Sequence, residues 1–358
     1  MIGFKGDRRM IDTVVADTDF NRLYTIPAGK LRRYYGVPLW KQLLDIPTVL
    51  SNLRDVFRVL RGVLSAVRIM RRERPDVVFA KGGFVGIPVA IAAKITNTPL
   101  VTHDSDFVPG LANRISARWA SVIATGAPTE FYHYPAEKMV EVGVPVDNDV
   151  LAVKKEKKDT LLQEAGLSAK KPVVTIVGGT NGGKEINEAV LTFLPELLEQ
   201  TSVVQIAGTS NFQTVKAHFG DKALPKDYLL EEIVGHTQLM KYFALSDVVI
   251  SRVGASVMAE LALLGSVAIL IPNPKLTGGH QIKNGQRYQE TGAAIVLDQE
   301  SVVSQPELLK KTVVDLLNDP KEQARLSKNM AGLAKPDATK ALAEIIVSTG
   351  RRRRQGRH

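Results

Sequence analysis

GGTNGGKEIN, Gly178 to Asn187, follows the apolar run VVTIV and precedes AVLTFLPELLEQ. A strand therefore enters a glycine turn and leaves it as a helix, so the backbone N–H groups of the turn and of the first helical residues converge on one place. That arrangement binds anions. Thr180 and Asn181 can donate to phosphate oxygens beside Gly182. The Walker pattern is not met, because Lys184 is followed by Glu185 rather than Ser or Thr. A second stretch of the same kind is SRVGASVMAE, 251 to 260, in which Gly254, Ala255 and Ser256 open a helix after DVVIS. Glu260 lies four residues beyond Ser256 and shares its helix face. A carboxylate there can accept from two vicinal hydroxyls, as on a ribose, or simply offset the helix dipole in its first turn. His280 and Gln281 follow a glycine-rich loop and can reach sugar hydroxyls, the glutamine both donating and accepting. Two anion cradles, a carboxylate clamp and a polar loop suit a nucleoside diphosphate joined to a sugar. Hydride chemistry has less support, since the dinucleotide fingerprint is absent.

Two further stretches belong to the first half. In AKGGFVGIPVAIAA, 80 to 93, Gly82 and Gly83 leave a strand and let the backbone approach a ligand, or make a tight turn. In HDSDFVPGLANR, 103 to 114, His103 ends a predicted strand and Asp104, Ser105 and Asp106 follow at once. The carboxyl ends of strands are where sites gather in such sheets. His103 could accept a proton from a substrate hydroxyl or hold the loop in place, and Asn113 could pin the backbone that follows.

The elements that must position these residues alternate. PDVVFA, PLVTH and SVIATG read as successive buried strands, with AIAAKI and LANRISARWA as helices between them. After GVPVDNDV a second set begins: VVTIV, SVVQIA, YLLEEIV, DVVIS, VAILI and AAIVL. Short Val/Ile runs alternating with helices specify parallel sheets covered on both faces. The expected fold class is α/β, with two Rossmann-like doubly wound domains and a cleft between them. The predicted domains are 1–146 and 147–335, then a helix over 336–350 and a basic tail over 351–358.

The chain has 358 residues and no cysteine, which excludes a disulfide scaffold, a thiol nucleophile and a thiolate metal site. Its six histidines include no HExxH pair, which argues against a zinc enzyme. The net charge of +10 is local. Residues 30–74 carry eleven Lys or Arg against three Asp or Glu, and the tail RRRRQGRH adds five arginines. A local basic zone suits a nucleic acid, an anionic membrane or a polyanionic substrate. Within it, apolar residues at 46, 49, 50, 53, 57, 60, 64 and 67 have helical spacing, with Arg54, Arg58, Arg61 and Arg68 interleaved. This is either a solvated basic helix or a surface facing lipid phosphates. LRRYYGVPLW, 31 to 40, mixes arginines with Tyr34, Tyr35 and Trp40, which suits a headgroup interface or single-stranded nucleic acid. No run of 18 apolar residues is present.

KGGFVGIPVAIAA, HDSDFVPGLANR, GGTNGGKEIN, SRVGASVMAE and HQIKN, in that order and spacing, resemble the MurG family of bacterial peptidoglycan synthesis, and the resemblance covers nearly the whole chain. It implies two domains of the GT-B type. The first would bind a lipid-linked muramyl-pentapeptide acceptor and dock on the cytoplasmic face of the cell membrane. The second would bind UDP-N-acetylglucosamine as donor substrate. The implied reaction is inverting transfer of N-acetylglucosamine to the 4-hydroxyl of the muramyl sugar. No tightly bound cofactor is implied, with room for stimulation by a divalent cation. The implied partners are the lipid acceptor, an anionic membrane surface and proteins of cell-wall synthesis and division, without nucleic acid. Carried onto this sequence, Glu260 would bind the ribose, while Thr180, Asn181, Gly182, Gly254, Ala255 and Ser256 would surround the diphosphate. Gln281 and His280 would read the N-acetylglucosamine hydroxyls, Asn284 would set their loop, and His103 and Asp106 would face the acceptor as the catalytic pair. Family members begin with a strand and a glycine-rich turn ending in histidine. This chain opens with IGFKGDRRM and then YTIPAG, so its first domain is expected to lack that strand, turn and helix. A related GT-B transferase with another lipid acceptor, a sugar-nucleotide epimerase and a basic nucleic-acid-binding protein stay open as alternatives.

Overall fold

The computed structural model describes residues 1–4, 22–29, 45–179, 182–220, 222–276 and 279–355. The aromatic and basic stretch at 31–40 lies outside the described residues, as do Thr180 and Asn181. The chain divides into two compact units, one of residues 1–143 with 337–358 and one of residues 144–336.

In the first unit β1 (Ile2–Phe4) pairs in parallel with β2 (Tyr24–Ile26). A 28-residue helix, α1 (Ile46–Glu73), follows. Asp45 caps its first turn by accepting from the Thr48 N–H, and Arg74 ends it in the left-handed region at φ 47°. Then come β3 (Val78–Ala80), α2 (Gly86–Ile95), β4 (Leu100–Asp104), α3 (Leu111–Ser116), β5 (Val122–Thr125) and β6 (Met139–Glu141). Strands β3 to β6 form a parallel sheet in sequence order. Both sheets share one apolar cluster: Ile26 packs with Val63, Ala66, Val67 and Met70 of α1, Ala90 and Ala93 of α2, Ala80 and Leu100. The alanines let α1 and α2 lie close to the strands. The C-terminal helix, Ala338–Gln355, buries Leu342 against Val101, Ala124 and Val142 of this unit. It runs on through the arginines of the tail as far as Gln355. Arg353 donates to the Pro75 carbonyl at 2.6 Å, and Arg354 pairs with Asp76. The described part of the tail is thus held as helix against the first unit.

The second unit is built from β7 (Val173–Val177), α4 (Lys184–Gln200), β8 (Ser202–Ile206), β9 (Tyr228–Glu231), α5 (His236–Leu245), β10 (Val248–Ser251), α6 (Ala255–Leu264), β11 (Ala268–Leu270), α7 (His280–Glu290), β12 (Ile295–Val296) and α8 (Gln299–Ser304), with shorter helices before and between and two more after. The sheet order is β12-β11-β10-β7-β8-β9, all parallel. Every residue of β7, β8 and β10 is buried, which explains why they read as unbroken apolar runs rather than alternating ones. The two faces of the sheet carry separate clusters, one around Met240, Leu261 and Leu270, the other around Val190, Phe193 and Ile269. Chain order reverses between β7 and β10. Ligands bind beyond the carboxyl ends of strands at such a switch point.

Candidate functional site

Val177 and Ser251, the last residues of β7 and β10, are register partners at that switch point. Both glycine-rich stretches therefore leave the sheet side by side. The first folds as a tight turn in which the Gly182 N–H donates to the Gly179 carbonyl at 2.8 Å. Gly182 has φ +62°, and a Cβ on it would lie 1.8 Å from the Ala207 carbonyl oxygen. Only glycine fits there. Asn211 donates to the Gly182 carbonyl at 2.9 Å. Behind the turn, buried Asn187 donates to the Ala207 carbonyl and accepts from Gln205, whose own carbonyl accepts from the Tyr228 hydroxyl. This network fixes the Ala207 carbonyl against which Gly182 packs.

Arg252 joins the two stretches. It is buried, and its guanidinium donates to Glu185 at 3.0 Å, to Gln299 at 2.6 Å and to the Ile271 carbonyl at 3.2 Å. Burial lowers its pKa against the opposing pull of Glu185. One side chain thus ties the first turn of α4, the loop after β10, the end of β11 and α8. Sequence inspection passes over it, because its partners lie 19 to 67 residues away.

Helix α6 opens at Gly254 with no side-chain cap and no acidic residue in its first turn. Its leading N–H groups, at Ala255 and Ser256, lack the usual side-chain acceptor, and Ser256 is exposed beside them. Glu260 lies beyond the first turn, so it is not the dipole-compensating acid of that helix end. It is buried, and its Oε1 is 3.0 Å from His236 Nε2, at the start of α5. His236 was not singled out from sequence, since only the fold brings it to a carboxylate 24 residues away. On the other flank, Gln281 Oε1 accepts from the Asn273 N–H at 2.8 Å, and buried Asn284 donates to the Val253 carbonyl at 3.4 Å. These bonds hold the first turn of α7, with His280 and Gln281, against the loop that opens α6. The structure thus gathers Gly182, Gly254, Ala255, Ser256, Glu260, His280 and Gln281 at one end of the second sheet.

In the first unit His103 is fully buried at the end of β4. Its Nε2 lies 2.9 Å from the Gly143 carbonyl and its Nδ1 3.2 Å from the Ser105 hydroxyl. A carbonyl only accepts, so Nε2 carries the proton and Nδ1 accepts from Ser105. Burial lowers its pKa, so the ring is neutral. This histidine ties the strand end to its loop. Asp104, also buried, accepts from Asn113 at 2.5 Å and from the Tyr134 hydroxyl at 2.8 Å. Asn113 donates in addition to the His103 carbonyl at 2.9 Å. Its Oδ1 has no hydrogen-bond partner among the described residues and faces the turn at Gly82, where a Cβ would come within 3.0 Å of it. Asp106 is half-buried, on a loop whose backbone accepts from the Tyr132 hydroxyl at 2.8 Å. His103, Asn113 and the Gly82 turn therefore form one braced corner, with Asp106 on its outer loop.

Among the described residues no group of His, Asp and Glu is placed to hold a metal ion. No described helix is long and apolar enough to cross a membrane.

Family models for the glycosyltransferase family 28 N-terminal and C-terminal domains match residues 7–125 and 173–342. A Bacillus cereus UDP-N-acetylglucosamine–N-acetylmuramyl-(pentapeptide) pyrophosphoryl-undecaprenol N-acetylglucosamine transferase is 37% identical over 304 residues, covering 84% of this chain and 79% of the relative. The Geobacillus thermodenitrificans transferase of the same name is 36% identical over 330 residues, covering 92% and 85%. Among solved structures, Acinetobacter baumannii MurG superposes with a TM-score of 0.66 at 21% identity, over 97% of this chain and 90% of that one. A UDP-N-acetylglucosamine 2-epimerase from Neisseria meningitidis gives 0.61 at 12% identity, over 95% and 96%. The structural likenesses establish the GT-B type of fold, which transferase and epimerase share.

Proposed function

The chain belongs to the MurG family, and on that premise we propose how its residues divide the transfer of N-acetylglucosamine from UDP-N-acetylglucosamine to the 4-hydroxyl of undecaprenyl-diphospho-N-acetylmuramoyl-pentapeptide. The acceptor oxygen attacks the anomeric carbon from the face opposite UDP. The carbon–oxygen bond to the diphosphate breaks, UDP leaves with the electron pair, and the configuration inverts to β. The acceptor hydroxyl gives up its proton to the Asp106 carboxylate, to which we assign the role of base.

The second unit is the donor domain. Glu260 takes the two ribose hydroxyls, and the bond from His236 fixes the carboxylate rotamer. The diphosphate rests on the N–H groups of Ala255 and Ser256 and against the turn that Gly182 closes, whose own N–H is engaged by the Gly179 carbonyl; Thr180 and Asn181 are assigned to the same phosphate oxygens. Negative charge grows on the leaving diphosphate as the bond breaks. Preoriented backbone dipoles stabilise that charge without reorganising. Gln281, its carbonyl already held by Asn273, has its amide N–H groups left to donate to the sugar, next to His280. These residues need no resident cofactor, and a divalent cation on the diphosphate would add to the same charge stabilisation. In the first unit His103 positions the acceptor loop, and Asp106 is the side chain of that loop which faces the acceptor hydroxyl.

The single observation that carries this reading is the pairing of two glycine-opened helices, α4 and α6, at the β7/β10 switch point with buried Glu260 behind them. Calorimetric titration with UDP tests it. Glu260→Ala loses a pair of charge-assisted hydrogen bonds and should weaken UDP by roughly 10- to 100-fold. Unchanged affinity would remove Glu260 from the ribose.

The lipid acceptor calls for a membrane-facing surface, and α1 supplies one. Its inward face is small or polar toward the start, Thr48, Asp55 and Gly62, and apolar later, Val63, Ala66, Val67 and Met70. Apart from Val67, the apolar stripe legible in the sequence points outward instead: Leu50 is 60% exposed, Phe57 62% and Leu64 62%, with Ile46, Leu53 and Leu60 alongside. Arg54, Arg58, Arg61 and Arg68 are exposed around it. An outward apolar stripe flanked by arginines docks into an anionic headgroup layer. This surface supports reading the protein as peripheral, seated on the cytoplasmic face of the cell membrane.

A further inference from the structure

Strand β8 is completely buried inside the second sheet, yet it carries an amide. Gln205 is 0% exposed, and a buried amide is costly unless its nitrogen and its oxygen both find partners. It finds one on each side. Its Nε2 donates to Asn187 Oδ1 at 2.9 Å, and its Oε1 accepts from the Tyr228 hydroxyl at 2.8 Å. Asn187 lies in the first turn of α4, and Tyr228 opens β9 at the edge of the sheet; both are buried. Tyr228 is the register partner of Val203, two residues before Gln205 on the same face, so its ring reaches Gln205 diagonally.

The relay has one direction. The Ala207 carbonyl can only accept, so Asn187 presents its amide nitrogen there, at 3.0 Å. Its oxygen then faces Gln205, which must present nitrogen, and the Gln205 oxygen faces Tyr228, which must donate. Flipping either amide would set like groups against each other. Burial raises the Tyr228 pKa, so the hydroxyl keeps its proton across the neutral range. The relay ends on the oxygen that a Cβ on Gly182 would strike. Ala207 and Gly208 also donate their N–H groups to the Glu231 and Glu232 carbonyls, at 2.9 and 3.0 Å. The segment that carries Tyr228 therefore reaches the Gly182 turn twice, once through backbone and once through side chains. We infer that Tyr228 and Gln205 are positioning residues of the donor site, which set the Gly182 turn through Asn187 and the Ala207 carbonyl. Being buried, neither touches the nucleotide. Removing the Tyr228 hydroxyl leaves the Gln205 oxygen empty in the interior, where an unmade bond costs more than a made one returns. The amide then loses what held its orientation, and the loss passes to Asn187 and Ala207. The role in binding rests on the second unit being the donor domain; the hold on the turn does not, and the two are measured separately.

The test uses the whole chain and follows UDP affinity by calorimetry, hydrogen exchange of the Gly182 amide without ligand, and the melting temperature. The Gly182 amide reports on the turn because it is bonded to the Gly179 carbonyl. The variants are Tyr228→Phe, Gln205→Met, the two together, and Val313→Ala, which removes bulk from the same apolar cluster outside the relay. Tyr228→Phe should weaken UDP about tenfold and speed Gly182 exchange by a similar factor. Gln205→Met should do at least as much, and the double variant no more than Gln205→Met, because Tyr228 acts only through Gln205. Val313→Ala should lower the melting temperature and leave UDP affinity and Gly182 exchange as in the parent. Additive effects in the double variant, UDP affinity or Gly182 exchange unchanged in Tyr228→Phe, or the same changes in Val313→Ala would overturn the inference. A parent protein that failed to bind UDP would overturn the donor domain instead, with the exchange rates still deciding the relay.

Discussion

A Cβ on Gly182 would collide with the Ala207 carbonyl, and the backbone there is left-handed. Gly182→Ala should strain the turn by about 1–3 kcal/mol and, if the diphosphate seats against that turn as proposed, weaken UDP roughly tenfold. Calorimetry alongside a thermal melt separates lost binding from lost fold. His103 makes a prediction about pH. Burial lowers its folded pKa below the unfolded value near 6.5, so above that value both states are neutral and the packing is intact. As pH falls from about 6.5 toward the folded pKa, the unfolded state takes up the proton first and stability drops. Melts at pH 7.5 and 5.5 should therefore differ more in the parent protein than in His103→Gln, whose side chain does not titrate; equal differences would contradict this. Residue types alone showed where the glycines, Glu260 and His103 stand. They did not show that His103 has both ring nitrogens engaged, or that His236 and Arg252 brace the site, because those facts depend on contacts made across many residues of chain.

At the scale of elements, α1 is the part whose periodicity was plain and whose orientation was not. Spacing fixes which residues share a face but not which face the fold covers. Replacing Leu53, Phe57 and Leu64 by Ser should lower affinity for vesicles rich in anionic lipid by about 100-fold or more, since each buried apolar side chain contributes about 1.5–3 kcal/mol. The triple variant should fold normally, as all three side chains are exposed. Raising salt should weaken binding of the parent further, through screening of the flanking arginines. Retained vesicle affinity in the variant would move the membrane surface elsewhere. Strands β7, β8 and β10 were legible as unbroken Val/Ile runs because both their faces are covered. β6 was not: MVE is three residues long, half-buried to exposed, and at the sheet edge. Short edge strands carry little pattern for sequence to display.

At the scale of the molecule, one architecture occurs twice with different work in each copy. The alternation of short buried strands with helices made the α/β class and its two doubly wound domains readable, since parallel sheets admit few connections, whereas the GT-B type rested on the family resemblance. The second unit brings its two glycine-opened helices together at its own switch point, whereas the first divides its strands between two sheets. Which strands would pair on each side of that division was not legible in the sequence, because pairing is set by register and not by composition. The shared fold also means that fold alone does not separate a transferase from a UDP-N-acetylglucosamine 2-epimerase. The reaction does. The most direct measurement incubates the chain with UDP-N-acetylglucosamine and lipid-linked muramyl-pentapeptide in anionic vesicles and follows the lipid and the nucleotide together by mass spectrometry and NMR. The account predicts a lipid product heavier by one N-acetylhexosamine, joined in β linkage, with one UDP released per transfer. A nucleotide sugar epimerised at C2 with the lipid unchanged, or UDP released without any lipid product, would contradict it.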